Sequence, residues 1–148
     1  MDVSEKRAVS LTRTIRAPKR EIFSAFTKPE MVTRWGVDEF TGEPRAGGRY
    51  RQVTRDDMGE HVVSGEYREF VPDERLVMTW NYQGPRDEIS ASLVTVELTE
   101  RKPDTTDVKV LEEPVPEEDV PAAQTAWNSA LADLETLLVH GGTRSQDV

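Results

Sequence analysis

Few residues of this chain have the type and spacing that acid–base chemistry requires. Glu66 and Glu69 stand three positions apart in a segment typical of a β-strand, where that spacing directs two side chains to opposite faces. A general acid and a general base must converge on one substrate, so the spacing does not predict a catalytic pair. Either carboxylate alone could face a cavity, and the alternative is a solvated or arginine-paired glutamate. Glu112 and Glu113 have the pattern of a solvated charge run before Pro114.

Metal binding and nucleophilic catalysis have no support in the residue pattern. The chain has two histidines, His61 and His140, neither has an acidic residue at metal-ligand spacing, and cysteine is absent. We therefore expect no metal, no cofactor, and histidines that are structural or exposed. Gly47-Gly48 lacks the Lys-Ser/Thr pair of a phosphate-binding loop, so it predicts a turn or bulge before a strand. Without a Gly-x-Ser-x-Gly motif we assign no catalytic residue.

The charge of the chain argues against two classes of partner. Its 148 residues include 28 acidic and 19 basic side chains, a formal net charge of −9. No cluster of Lys or Arg provides the positive surface that nucleic acids or anionic membranes require. The N-terminus is charged, and no apolar run approaches the roughly 18 residues of a membrane span. We expect a cytoplasmic protein with no nucleic-acid partner and no membrane span.

The elements that position these residues begin with a strand and two short helices. Val9, Leu11 and Ile15 alternate with polar residues, which predicts a half-buried strand. Apolar residues at helical spacing follow Pro18 and again Pro29, and each proline suits the first turn of a helix. Because proline also disfavours helix at the residue before it, the first helix should end, and the second begin, at Lys28-Pro29.

The middle of the chain has the pattern of an antiparallel meander. Segments rich in Val, Thr and aromatic residues alternate with turn signals and predict strands over 48–55, 61–71, 76–82, 90–100 and 106–111. In the third segment Leu76, Met78, Trp80 and Tyr82 fall on one face. One face of the sheet is therefore apolar and must be covered.

A long C-terminal helix supplies the cover. Apolar residues recur every three or four positions over 120–139, a length of about 30 Å at 1.5 Å per residue. Asp119 is placed to cap the first turn, and Gly141 is placed to end the last. We predict an α+β fold in which a curved antiparallel sheet grips this helix, with one domain over 1–140 and a flexible tail over 141–148.

Aromatic residues from several elements share the predicted interior. Trp35, Trp80, Tyr82 and Trp127 come from a helix, a strand and the long helix, all on inward faces. They could form an ordinary core, or they could line a ligand cavity, because a curved sheet and a single helix leave space between them. The candidate ligand-binding residues are Trp35, Tyr50, Met78, Trp80, Tyr82, Val94, Val96, Trp127 and Leu131.

Six short segments in order resemble a known family. They are Ile-Arg-Ala-Pro at 15–18 followed by Ile22-Phe23, Lys-Pro-Glu at 28–30 through Arg34-Trp35, Ala-Gly-Gly-Arg-Tyr at 46–50, the run 65–80, the run 92–99, and Trp127. Together, over about 9–139, they are similar to the activator-of-heat-shock-protein-90-ATPase homologue family of the START-like, or SRPBCC, superfamily. The resemblance implies a helix-grip fold with a hydrophobic cavity between sheet and helix.

The chain departs from that family pattern in two places. Glu112-Glu113-Pro114 stands where the resemblance leads us to expect a His-Glu-Gly-like segment, and Ala126 replaces a glycine before the helix tryptophan. If the family histidine has a chemical role, this chain lacks it.

Together these observations favour a binding protein over an enzyme. We expect a small hydrophobic or amphipathic ligand in the cavity, and a role as carrier, sensor or stress-related factor. The alternatives are a polyketide cyclase or aromatase-like enzyme and a module that activates a chaperone ATPase; a homodimer and a chaperone partner also stay open. An enzyme of this kind would draw its proton-transfer group from Glu66, Glu69, Tyr50 or Tyr82.

Overall fold

The computed structural model describes residues 6–141, and the greater part of the predicted tail lies outside them. The strands are β1 (Lys6–Ile15), β2 (Glu39–Gly42), β3 (Arg49–Asp56), β4 (Gly59–Val71), β5 (Arg75–Gln83), β6 (Ile89–Lys102) and β7 (Thr105–Pro116). The helices are α1 (Lys19–Thr27), α2 (Pro29–Trp35) and α3 (Val120–His140), and a 3₁₀ turn over Glu117–Asp119 precedes α3.

The described strands form one antiparallel sheet in the order β1-β7-β6-β5-β4-β3-β2. The meander predicted from the sequence is confirmed as β3 to β7. The last strand, β7, also pairs with the first strand, β1. Strand β2 was not predicted, because its four residues include a single buried side chain, Phe40, and show no alternation long enough to recognise. Strand β7 also continues to Pro116, beyond the predicted end at residue 111.

The junction between α1 and α2 forms where the sequence predicts it. Lys28 is extended and serves as the last cap of α1 and the first cap of α2, and Pro29 occupies the first turn of α2. The turn before β3 is also confirmed. Gly47 has a positive φ of +83°, and a Cβ on Gly48 would clash with the Glu43 carbonyl, so both positions favour glycine.

Helix α3 buries one stripe of side chains against the sheet. Trp127, Leu131, Leu134 and Leu137 are buried at intervals of three or four residues, and they join one core cluster with the apolar face of β5 to β7. Gly141 ends the helix in the left-handed conformation, as predicted. The prediction of a side-chain cap by Asp119 is wrong, because the preceding 3₁₀ turn leaves this residue helical and its carboxylate makes no capping hydrogen bond.

Candidate functional site

A cavity of about 260 Å³ lies between α2, α3 and the apolar face of the sheet. Its lining residues are mostly apolar or aromatic: Phe26, Val32, Trp35, Gly36, Val37, Phe40, Tyr50, Gln52, Tyr67, Met78, Trp80, Glu112, Ala123, Ala126, Trp127 and Ala130. The volume is close to the lower end of the roughly 300–1,000 Å³ typical of small-molecule sites.

Small residues on α3 leave this space open. Ala123, Ala126 and Ala130 face the cavity around Trp127, and their methyl groups are too short to reach across to the sheet. Further along the helix Leu131 is buried in the core. The cavity therefore follows the alanine-rich N-terminal half of α3, and the family position occupied here by Ala126 forms part of its wall.

A row of aromatic rings runs from Trp127 on α3 across the sheet side of the cavity. The ring centroids of Trp127 and Trp80 are 5.3 Å apart, those of Trp80 and Tyr50 are 6.4 Å apart, and those of Tyr50 and Tyr67 are 5.3 Å apart. The Tyr50 hydroxyl donates a hydrogen bond to the Thr79 carbonyl at 2.6 Å. These contacts hold the rings as one wall, because each ring packs against the next.

Glycines position two of these tyrosines. The backbone of Tyr67 bonds to the Gly47-Gly48 turn: its carbonyl accepts from Gly47 at 2.7 Å, and its N–H donates to Gly48 at 2.9 Å. Tyr50 pairs with Gly65 on the neighbouring strand, where a Cβ would clash with the Thr79 carbonyl that Tyr50 reaches. Glycine at position 65 thus permits the close approach of β5 that the Tyr50 hydrogen bond requires.

The Tyr67 hydroxyl is buried without a hydrogen-bond partner among the described residues. The residue is 2% exposed, and burial raises the pKa of its phenol to about 12. Burial, followed by the charges of Tyr67 and Glu112, also raises the pKa of Tyr50 above its usual range. A buried hydroxyl without a hydrogen-bond partner lowers the stability of the fold by on the order of 1–3 kcal/mol. The Tyr67 hydroxyl is therefore available to form a hydrogen bond with a ligand.

Glu112 brings a carboxylate to the cavity. Its Oε1 accepts a hydrogen bond from the Trp127 indole N–H at 2.9 Å, and its Oε2 accepts one from the Ser92 hydroxyl at 2.7 Å. The interpretation of Glu112 as part of a solvated charge run is wrong, because the residue lies on β7 opposite α3 and is half-buried. Glu113 is exposed.

The structure divides the predicted ligand-binding residues into two groups. Trp35, Tyr50, Met78, Trp80 and Trp127 line the cavity. Val94, Val96 and Leu131 are not among its lining residues; each is at most 2% exposed and belongs to the packed core.

Tyr82, the remaining predicted residue, lies near the β3–β4 turn and does not line the cavity. Its hydroxyl is 2.8 Å from His61 Nδ1, and His61 Nε2 is 2.9 Å from Asp56 Oδ2. Burial is the main cause that raises the pKa of Tyr82. His61, expected to be structural or exposed, therefore joins two hairpins through its ring nitrogens.

Glu66 and Glu69 lie on the same outer face of the sheet, which corrects the expectation of opposite faces. The register of β4 and β5 shifts between Tyr67 and Glu69, so that two residues of β4 span a single step of β5. This bulge changes the alternation on which the expectation rested. Neither carboxylate lines the cavity, and Glu69 bonds instead to Arg75 at 2.9 Å.

The remaining lining residues were not among the predicted ligand-binding residues. Tyr67 could have been found, because it shares the inward phase of Val63 in the predicted strand over 61–71. Glu112 stood at a visible departure from the family pattern, yet its hydrogen bonds to Trp127 and Ser92 span 15 and 20 residues of chain. Local periodicity carries no information about such partners.

Within residues 6–141 no group of His, Asp and Glu side chains is arranged to hold a metal ion. None of the helices in the described part of the chain combines the length and hydrophobicity that a membrane span needs.

We expect the buried Tyr67 phenol to destabilise the fold at alkaline pH. Its folded-state pKa of about 12 lies above the ordinary value of 10.0. The unfolded chain therefore releases this proton first, and stability falls by about 1.4 kcal/mol per pH unit from near pH 10 until the folded pKa is reached. Urea unfolding measures the free energy of unfolding of the protein and of Tyr67→Phe as a function of pH. Above about pH 10 the free energy of the original protein should fall relative to that of Tyr67→Phe with this slope. Parallel curves for the two proteins would contradict it.

Comparisons with known proteins bear on the fold and the family. The family model described as "Activator of Hsp90 ATPase homolog 1-like protein" matches residues 16–139. No curated protein matches the chain at a significant level.

Solved structures similar to this one come from several bacteria. A protein from Rhizobium leguminosarum is 26% identical with a TM-score of 0.81, over 93% of this chain and 97% of that one. MLL2253 from Mesorhizobium loti is 26% identical with a TM-score of 0.75, over 90% and 98% of the two chains. CalU16 from Micromonospora echinospora is 23% identical with a TM-score of 0.73, over 93% and 87%. The helix-grip fold expected from the resemblance is thereby confirmed.

Proposed function

The chain belongs to the family of Activator of Hsp90 ATPase homolog 1-like proteins, and we propose that it binds a small apolar or amphipathic molecule between the sheet and α3. The observation that carries this proposal is the cavity itself, about 260 Å³ with a lining made mostly of apolar and aromatic residues. A packed core would fill such a space, because protein interiors leave few voids larger than a water molecule. A carrier or sensor acting in the cytoplasm fits this proposal.

The lining indicates the general character of the ligand. Aromatic walls favour a flat apolar body, and the volume suits a molecule of one or two rings. The unpaired Tyr67 hydroxyl favours a ligand that also has a hydrogen-bonding oxygen or nitrogen, because pairing would relieve the cost of the buried group. The cyclase and chaperone alternatives are not favoured by any contact in the cavity.

Binding of a neutral aromatic alcohol tests the proposal. We expect naphthylmethanol to quench the fluorescence of the tryptophans that line the cavity, Trp35, Trp80 and Trp127. It should also raise the free energy of unfolding, by about 2.7 kcal/mol at a hundredfold excess over Kd. No quenching and no thermal shift at solubility-limited concentrations would contradict the proposal.

Filling the cavity should remove that binding. Ala130 lines the cavity on α3, so Ala130→Leu places added volume where the ligand would lie. We expect its affinity for naphthylmethanol to fall at least tenfold, measured by calorimetric titration. Ala122→Leu is the matched control, since Ala122 is exposed on the same helix and does not line the cavity. Equal affinity in the two variants would place the ligand elsewhere.

A further inference from the structure

The negative charge in the cavity lining discriminates among amphipathic ligands by the sign of their charge. Of the described residues that line the cavity, none is Lys, Arg or His, and Glu112 has the single carboxyl group. An anionic ligand would meet this carboxylate without a compensating cation in a largely apolar space, which is costly. A ligand with a positive charge would meet an opposite charge there.

The Glu112 carboxylate has hydrogen-bond acceptor positions that its present partners do not use. Each of its oxygens accepts one hydrogen bond, Oε1 from Trp127 and Oε2 from Ser92. A carboxylate offers about four acceptor positions, so about two stay available to a donor from the ligand. The two existing bonds hold the carboxylate in place, because its donors come from two different elements, Ser92 on β6 and Trp127 on α3.

Aromatic rings lie close to Glu112 in the cavity wall. Trp127, which bonds to Glu112, packs against Trp80 at a centroid distance of 5.3 Å and a tilt of 44°. Tyr50 continues this wall, and the Glu112 charge contributes to the raised pKa of its phenol. The faces of tryptophan and tyrosine attract an ammonium group within about 6 Å of the ring.

We propose that the ligand is an apolar or aromatic amine, bound as its ammonium ion. The ammonium group donates to Glu112, and the apolar body packs against the aromatic rings of the cavity between the sheet and α3. This inference rests on the proposed ligand binding and adds the chemical class of the ligand. Fatty acids and other carboxylates are thereby excluded as ligands.

Three probes that share one aromatic body test the amine. Naphthylmethylamine, naphthylmethanol and naphthoic acid are titrated into the protein by calorimetry at neutral pH. We expect the amine to bind at least tenfold more tightly than the alcohol, and the acid to bind most weakly. This ranking needs no variant, so it tests the proposal even if substitutions at the site impair folding.

Replacement of the carboxylate identifies its role. Glu112→Gln keeps the size of the side chain and an acceptor for Trp127, and it should remove the amine preference, so that the amine and the alcohol bind within about twofold of each other. Glu118→Gln is the matched control, because it removes an equal charge from an exposed residue outside the cavity. It should keep the amine preference.

The outcomes separate the two proposals. If the alcohol binds but the amine has no advantage, or if the advantage persists in Glu112→Gln, the amine proposal is overturned and ligand binding stands. If none of the three probes binds, the proposal of ligand binding and the amine proposal are both contradicted.

Discussion

Truncation of Leu131 to alanine should lower the free energy of unfolding by about 2 to 5 kcal/mol. Leu131 is 1% exposed and belongs to the core cluster that also contains Leu134, Val94 and Val96. Its removal costs the burial of the lost methyl groups and leaves a void that the surrounding sheet cannot fully close. Urea unfolding followed by far-ultraviolet circular dichroism measures this loss.

The control for Leu131 is a neighbour on the solvent side of α3. Ser129 is exposed, so Ser129→Ala should stay within about 0.5 kcal/mol of the original protein. A loss below about 0.5 kcal/mol for Leu131→Ala as well would mean that this face of α3 does not pack on the sheet.

Replacement of Trp127 by alanine should have an effect of about 3 to 5 kcal/mol on stability and should also open the cavity. The residue is 9% exposed, its ring packs on Trp80, and its indole N–H donates to Glu112. Truncation removes all three contributions, because it deletes the ring and leaves one acceptor position of Glu112 empty. Chemical denaturation measures the loss of stability, and titration with naphthylmethanol measures the effect of the opened cavity on ligand binding.

Trp127→Phe separates the hydrogen bond from the packing. Phenylalanine retains an aromatic ring but has no donor for Glu112, so the expected loss is smaller, about 1 to 3 kcal/mol. Asn128→Ala, at the exposed neighbouring position, should change stability by less than about 0.5 kcal/mol. If Trp127→Ala were no more destabilising than Asn128→Ala, the ring would not be part of the packed wall.

The contrast between Leu131 and Trp127 shows how one helix serves two purposes. The C-terminal half of α3 presents leucines that complete the core, whereas the N-terminal half presents alanines around a single tryptophan. Leucine fills the space beneath the helix and alanine does not. Stability and the cavity are thus assigned to different turns of α3, and substitutions can test them separately.

Local patterns in the sequence predicted the elements and their inward faces. Alternating residues determined β1 and the meander, Lys28-Pro29 determined the junction of two helices, and the spacing of Trp127 and Leu131 determined the buried stripe of α3. Each of these depends on neighbours a few residues apart, which is the range over which backbone periodicity acts. The family resemblance rested on the same short segments.

Only the tertiary structure decided which groups meet in the cavity. The bulge in β4 moved Glu69 to the face of Glu66, and its position depends on how β4 pairs with β5 rather than on β4 alone. Glu112 became a cavity residue because β6 and α3 bring Ser92 and Trp127 to it from 20 and 15 positions away. Such partners follow from strand register and helix packing, which involve the whole chain. For that reason the sequence by itself predicted an aromatic interior. The Glu112 carboxylate and the unpaired Tyr67 hydroxyl in that interior were found only in the folded structure.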